Sequence, residues 1–351
     1  MTGSMKAAVY RGVDDVRLEQ VPIPEIGKGE VLVKVESCGV CGTDLKKIHL
    51  GLASPPRIFG HETAGTIAAL GQGVQKWKEG DRVAVNHHVP CMQPDCPFCR
   101  RKAFAQCPVY KKTGATSGFE PAGGGYAEYV RVMDWCVEKG LVGIPAGISS
   151  EEACFIEPLN ACLKAVELAS PLPGDIALIL GQGTIGLFFT QLLHQAGIKV
   201  IASDYLQDRL EWSKEMGAEW AASPDEADAV TQALTEGRGA DLVIVTVADT
   251  RAAEKAISWT RLAGTILLFA QTRENDPMTV DAGSICLQEK RLIGSYSSDI
   301  TLQERAAQMI FSHSVKTLGL ITHRFPLEEI EAAIMTASHP AKGALKVMIR
   351  P

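Results

Sequence analysis

The chain has 351 residues, a formal net charge of -6, a pI near 5.8 and ten cysteines. That length points to two domains, and the acidic balance without a basic run argues against nucleic acid as a partner. No apolar run is long enough to cross a bilayer, and ten cysteines without a secretory signal suit a reducing compartment, so the expected location is cytoplasmic. Residues 1–4 read as a leader added ahead of Met5.

The first third is rich in short β-branched runs punctuated by Gly and Pro. Strands are predicted over 6–10, 31–37, 65–70, 81–85 and 126–132. Within this third, Cys91, Cys96, Cys99 and Cys107 fall among Pro, Gln, Asp, Arg and Lys rather than among apolar neighbours. Four thiolates at that density suit tetrahedral zinc, which accepts four sulfur ligands and leaves no open position. A helix is predicted over 151–169, with Ser149 or Ser150 as its N-cap and Glu151 and Glu152 in the first turn. Strands and helices then alternate, with strands at 175–180, 199–203, 242–246 and 265–269. This is the pattern of a parallel sheet covered by helices on both faces. A polar helix over 302–312, another after Pro326 and a last strand at 345–349 close the chain.

The first of those strands runs into Gly181-Gln182-Gly183-Thr184-Ile185-Gly186 and then a helix. Gly181 permits the tight turn, Gly183 lets a pyrophosphate approach the backbone, and Gly186 allows close helix packing. The helix start, Thr184 and Ile185, offers free N–H groups to phosphate. Asp204 ends the next strand, eighteen residues beyond Gly186, where a ribose-binding acid is expected. A carboxylate there accepts the ribose hydroxyls and repels a 2′-phosphate, which favours NAD over NADP. Tyr205 follows it, and Arg209, one helical turn on, is placed to reach the ribose edge or cover the adenine.

Outside the four-cysteine cluster, Cys41, His61, Glu62 and Glu157 are candidate ligands for a second metal. Singly, Cys41 fits a loop thiol, His61-Glu62 a polar turn and Glu157 a helix-face acid. Glu157, however, stands in the apolar setting Phe155-Ile156-Glu157-Pro158-Leu159, where an acid is costly unless paired. Together one thiolate, one imidazole and one carboxylate leave the fourth position of a catalytic zinc open to water or substrate.

These motifs resemble the zinc-dependent medium-chain dehydrogenase/reductase (alcohol dehydrogenase) superfamily, nearest its sorbitol and threonine dehydrogenase branch. The likeness rests on Cys41-Gly42-Thr43-Asp44, Gly60-His61-Glu62, the four-cysteine lobe, Gly125-Tyr126-Ala127-Glu128-Tyr129, Glu157-Pro158, the glycine loop and the closing Lys346-Val347-Met348-Ile349. It implies an α/β protein: a GroES-like β-rich catalytic domain (1–152, with 296–351 returning to it) and a Rossmann domain (153–295) with a doubly wound parallel sheet. Two departures stand out. Four residues rather than two separate the first two lobe cysteines, and Lys46 replaces a histidine that often ends the proton relay.

The resemblance also implies two zinc ions per chain, NAD, and a polar secondary alcohol as substrate: a polyol, a sugar acid or a β-hydroxy amino acid such as threonine. Zinc supplies the Lewis acidity, Thr43 passes the hydroxyl proton outward, and Lys46, His49 or solvent receives it. Glu62 and Glu157 compete for the third ligand place. Leu268, Tyr296 and Lys346 complete the expected cofactor contacts, and His87 and His88 the expected polar substrate pocket, with Tyr110, Lys111 and Lys112 available to an anionic group. A homo-oligomer, dimer or tetramer, is expected. The competing readings are a catalytically silent zinc- and nucleotide-binding protein and a zinc-free enone or quinone reductase of the same fold.

Overall fold

The computed structural model describes residues 3–113, 123–272, 275–339 and 343–351. Two compact units are present: Met1–Asn160 with Ser298–Pro351, and Ala161–Ser297. The junctions expected from sequence were 152/153 and 295/296, a few residues from those of the two units.

The first unit is built on strand Val31–Gly39. Its seven-stranded sheet runs Ile321–Pro326, Lys346–Arg350, Val31–Gly39, Glu62–Leu70, Arg82–Val85, Leu141–Gly143, with Tyr129–Val132 also paired to Val31–Gly39. A smaller sheet joins Asp15–Pro22, Ser4–Gly12 and Arg57–Ile58. Their inward faces share one core that includes Tyr10, Phe59, Tyr126, Val33, Val130 and Ile349. Register matters here: Gly39 lies opposite Glu62 on one side and Met348 on the other. The final strand is thereby brought to the ligand-bearing one. A Cβ on residue 39 would fall 1.9 Å from Glu62 Oε2, so glycine makes room for that carboxylate.

The second unit carries a six-stranded parallel sheet ordered Trp220–Ala222, Lys199–Ser203, Ile176–Leu180, Ala240–Val245, Thr260–Leu268, Arg291–Gly294. In chain order this is 3-2-1-4-5-6, the doubly wound dinucleotide-binding arrangement. Leu178, Ile179, Val243 and Ile244 are wholly buried, as central parallel strands covered on both faces require.

The predicted helix over 151–169 is two helices, Ser150–Ala153 and Ile156–Ala169. Pro158 has no N–H for the Cys154 carbonyl and its ring would clash there, so the helix restarts with Pro158 in its first turn. Ser149 caps the first piece in a capping box with Glu152. Edge strand Asp15–Pro22 and helix Gly42–Leu50, neither predicted, are charged or short enough to hide their periodicity. Among the described residues, no helix is long and apolar enough to cross a membrane.

Candidate active site

Cys41 is the N-cap of helix Gly42–Leu50, and its sulfur accepts the Thr43 backbone N–H at 3.5 Å. His61 and Glu62 open strand Glu62–Leu70 directly after Gly60, whose φ of 97° is left-handed. A Cβ on that glycine would also strike Tyr126 and the Cys38 sulfur. This turn and this cap converge: one donor atom from each of Cys41, His61 and Glu62 lies within 4.8 Å of the others. Sulfur, imidazole and carboxylate at that spacing fit zinc with one position open.

Each donor is oriented from behind. His61 Nδ1 lies 3.2 Å from Asp44 Oδ2, and the Tyr126 hydroxyl donates to the same carboxylate oxygen at 3.4 Å. A carboxylate on one ring nitrogen leaves the other for metal. Burial disfavours the imidazolium, but the charges of Asp44 and Cys41 outweigh it and hold His61 well above the usual imidazole range. Glu62 is met by Lys346, whose ammonium donates to its two carboxylate oxygens at 2.9 and 2.6 Å and to the Val40 carbonyl at 3.3 Å. Lys346, expected at the cofactor, is buried beside the ligand set. An ammonium in that position needs a carboxylate beside it, and Glu62 provides one.

Glu157 is not part of the 4.8 Å set. It sits in the first turn of helix Ile156–Ala169, and burial pushes its carboxyl up to about 7. His88 Nδ1 lies 3.9 Å from Glu157 Oε1, and the His88 ring is 5.8 Å from that of His61. His87 and His88 are buried, and desolvation lowers both, His87 to about 4. Both are neutral imidazoles near pH 7. Asn86 fixes this stretch: its Oδ1 accepts the His88 backbone N–H at 2.8 Å, and its amide donates to Gln303 Oε1 at 2.6 Å. Tyr110 is not offered to an anion. It is buried and stacks on His88 with centroids 5.1 Å apart and 15° between planes. The side chains of Lys111 and Lys112 lie outside the described residues.

On helix Gly42–Leu50, Lys46 stands three residues after Thr43 and is partly buried, which lowers its ammonium. His49 is committed elsewhere, to Asp14 through Nδ1 and to Ser338 through Nε2 at 2.8 Å. It is therefore a weak candidate for the relay.

The sulfurs of Cys91, Cys96, Cys99 and Cys107 also lie within 4.8 Å of one another, and Cys91 and Cys99 are 3.7 Å apart. Zn–S bonds of about 2.3 Å imply a tetrahedral S···S edge of about 3.8 Å, whereas a disulfide would be about 2.05 Å. Phe104, Ala105 and Tyr110 form a small core around Cys99 and Cys107. The four-residue spacing after Cys91 therefore still closes the cluster.

In the second unit Gly181 has a φ of 96°, and a Cβ on residue 186 would sit 2.0 Å from the Gly181 carbonyl. Gly183 caps helix Thr184–Gln195, and Arg209 Nη1 lies 3.9 Å from where its Cβ would be. Asp204 accepts the Gln182 N–H at 2.7 Å and the Leu206 N–H at 3.0 Å, with Arg209 at 3.5 Å. Each carboxylate oxygen keeps lone-pair capacity for a ribose hydroxyl. Leu268 ends strand Thr260–Leu268, and half-exposed Tyr296 accepts the Lys164 ammonium on its carbonyl at 2.7 Å.

Neither Asp44 nor Gln303 had an expected role, and Asn86 was expected only within the stretch 86–88 that the resemblance puts at the substrate cleft. Asp44 carried a signal only as the last residue of Cys41-Gly42-Thr43-Asp44, because the helix that buries it was itself not expected. The Asn86–Gln303 pairing spans 217 positions and carried none.

Residues 27–144 match the alcohol dehydrogenase GroES-like domain, and residues 184–312 the zinc-binding dehydrogenase domain. The chain is 30% identical over 356 residues to the sorbitol dehydrogenase of Bacillus subtilis strain 168, covering 99% of this chain and 98% of that protein. It is 31% identical over 358 residues to the galactitol 1-phosphate 5-dehydrogenase of Escherichia coli strain K12, covering 99% and 100%. A crystal structure from Sinorhizobium meliloti 1021, solved with NADP, superposes with a TM-score of 0.88 at 28% identity, covering 99% of this chain and 100% of that one. With its GroES-like unit, its Rossmann sheet and its two donor clusters, the chain belongs to the zinc-binding alcohol dehydrogenase family of medium-chain oxidoreductases.

Proposed function

We propose that the protein oxidises a secondary alcohol of a polyol and transfers the hydride to NAD, with two zinc ions per chain. The observation that carries this reading is the convergence of Cys41, His61 and Glu62 beside the buried, neutral His88 and the raised Glu157. A pocket wall of imidazole and carboxylate suits a substrate with several hydroxyls, and the sorbitol and galactitol 1-phosphate dehydrogenases among its relatives point the same way.

Zinc held by Cys41, His61 and Glu62 supplies a Lewis acid that lowers the pKa of the alcohol hydroxyl. Thr43, beside Cys41, takes that hydroxyl's proton through its own oxygen, and Lys46, three residues on, receives it or hands it to water. Asp44 fixes the His61 ring, and Lys346 balances the charge of Glu62. Asp204 and the glycine loop hold the dinucleotide by its ribose and pyrophosphate, and the carboxylate of Asp204 disfavours a 2′-phosphate. The four-cysteine cluster holds the second zinc as a closed structural site. Glu157, outside the resting ligand set, contacts substrate or water. The test is NADH formation across a panel of polyols, sugar acids and L-threonine. Turnover of polyols above the other classes is expected, and no turnover of any class would overturn the reading.

A further inference from the structure

Three features meet at His88 that its place in the chain does not explain. Its Nδ1 is buried and has no hydrogen-bond partner among the described residues. Its separation from Glu157 Oε1, 3.9 Å, is too long for a direct hydrogen bond, yet one hydroxyl oxygen could touch both atoms. One face of its ring is set by a ring from the cysteine lobe. Tyr110 stacks on it, belongs to the lobe's own core with Cys99 and Cys107, and directs its backbone N–H at the Cys107 sulfur. His88 stands three residues before the first cluster cysteine and Tyr110 three after the last. The metal cluster therefore closes both ends of this stack.

We propose that Tyr110 is a positioning residue through which the four-cysteine lobe holds His88, and that His88 Nδ1 with Glu157 binds a second hydroxyl of the polyol, beside the one oxidised. This rests on the polyol reading above and names the group that would select a diol over a simple alcohol. An unpaired buried nitrogen rejects a substrate that brings no hydroxyl to it, because its desolvation then goes uncompensated. The lobe thus has a part in specificity as well as in stability.

The experiment compares the zinc-loaded full chain with Tyr110→Leu, Tyr110→Phe, His88→Phe and the His88→Phe/Tyr110→Leu double variant. The substrates are 2,3-butanediol and 2-butanol, which differ only in the second hydroxyl. Tyr110→Leu and His88→Phe should each raise KM for the diol about tenfold relative to that for 2-butanol. The double variant should lose no more than either alone, and Tyr110→Phe should stay near wild type. Metal analysis confirms that the lobe zinc is retained; if Tyr110→Leu loses it, Tyr110→Met takes its place. A second readout needs no turnover: with ¹⁵N-labelled histidine, the His88 ring signals should move in Tyr110→Leu, while those of His194 in the other unit stay put. Equal losses on both alcohols, additive losses in the double variant, or an unmoved His88 signal would overturn the proposal. If the panel shows no polyol turnover, the polyol reading fails, and the nuclear resonance arm alone decides the coupling.

Discussion

Replacing Lys346 with methionine should destabilise the zinc-free protein far more than the zinc-loaded one. The Lys346 side chain is 6% exposed and that of Glu62 2%, and the ammonium meets both carboxylate oxygens within 2.9 Å. Methionine keeps the length and the packing over the Phe155 ring, where the ammonium now lies 5.9 Å from the centroid. It leaves Glu62 as an uncompensated buried charge, which costs about 3–5 kcal/mol. Zinc at Cys41, His61 and Glu62 restores a counter-charge, so the loss in the loaded protein should shrink to about 1–2 kcal/mol. By linkage, a difference of about 2–3 kcal/mol means that zinc binds the variant about 30–150-fold more tightly than wild type. Urea unfolding of both proteins, with and without zinc, measures each quantity. Glu62→Gln in the Lys346→Met background should recover most of the zinc-free loss. A penalty equal in the two metal states, or below about 1 kcal/mol without zinc, would refute this account of the pair.

Thr43→Val should lower turnover about 10²–10⁴-fold, the usual range for losing an acid–base link. Lys46→Ala should cost about tenfold: burial lowers the Lys46 ammonium, so its neutral amine grows as pH rises, and the alkaline-rising limb of the wild-type profile should vanish in the variant. An unchanged profile would exclude Lys46 from the relay. Glu157→Gln should cut turnover strongly yet shift stability by less than about 1 kcal/mol, because a carboxyl raised to about 7 is already half neutral at that pH; near-normal turnover would remove Glu157 from the site. Asp204→Ala should weaken NAD by about 1.5–3 kcal/mol and NADP much less. A wild type that already uses both cofactors equally would contradict the role given to Asp204.

Much of this architecture was legible because its signals are local. Gly60-His61-Glu62, the four cysteines and the glycine loop each place several diagnostic residues within a few positions. The alternating apolar strands of the second unit announce a parallel sheet in the same way. The break before Ile156 was also there to read, in Pro158. What escaped depends on distance along the chain. Lys346 meets Glu62 across 284 positions, through the shared register of both strands on Gly39. The Tyr110–His88 stack likewise depends on how the cysteine loop closes. Spacing alone cannot supply such pairings, so neither the Lys346–Glu62 pair nor the Tyr110–His88 stack was expected. Edge strand Asp15–Pro22 alternates only over Val16–Glu19 before Gln20 breaks the period, too short a run to announce itself.

The central claim is that an open zinc site, separate from a closed one, carries the dehydrogenation. Zinc content and polyol-dependent NADH formation, measured on one sample before and after brief chelation, test it most directly. The closed four-thiolate site has no exchangeable ligand, while the open site has harder donors and a free position. The account predicts two zinc ions per chain at the outset, loss of about one together with the activity, an intact fold, and recovery of both on adding zinc. Fresh protein with one zinc or none, or NADH formation that survives loss of the labile zinc, would contradict it.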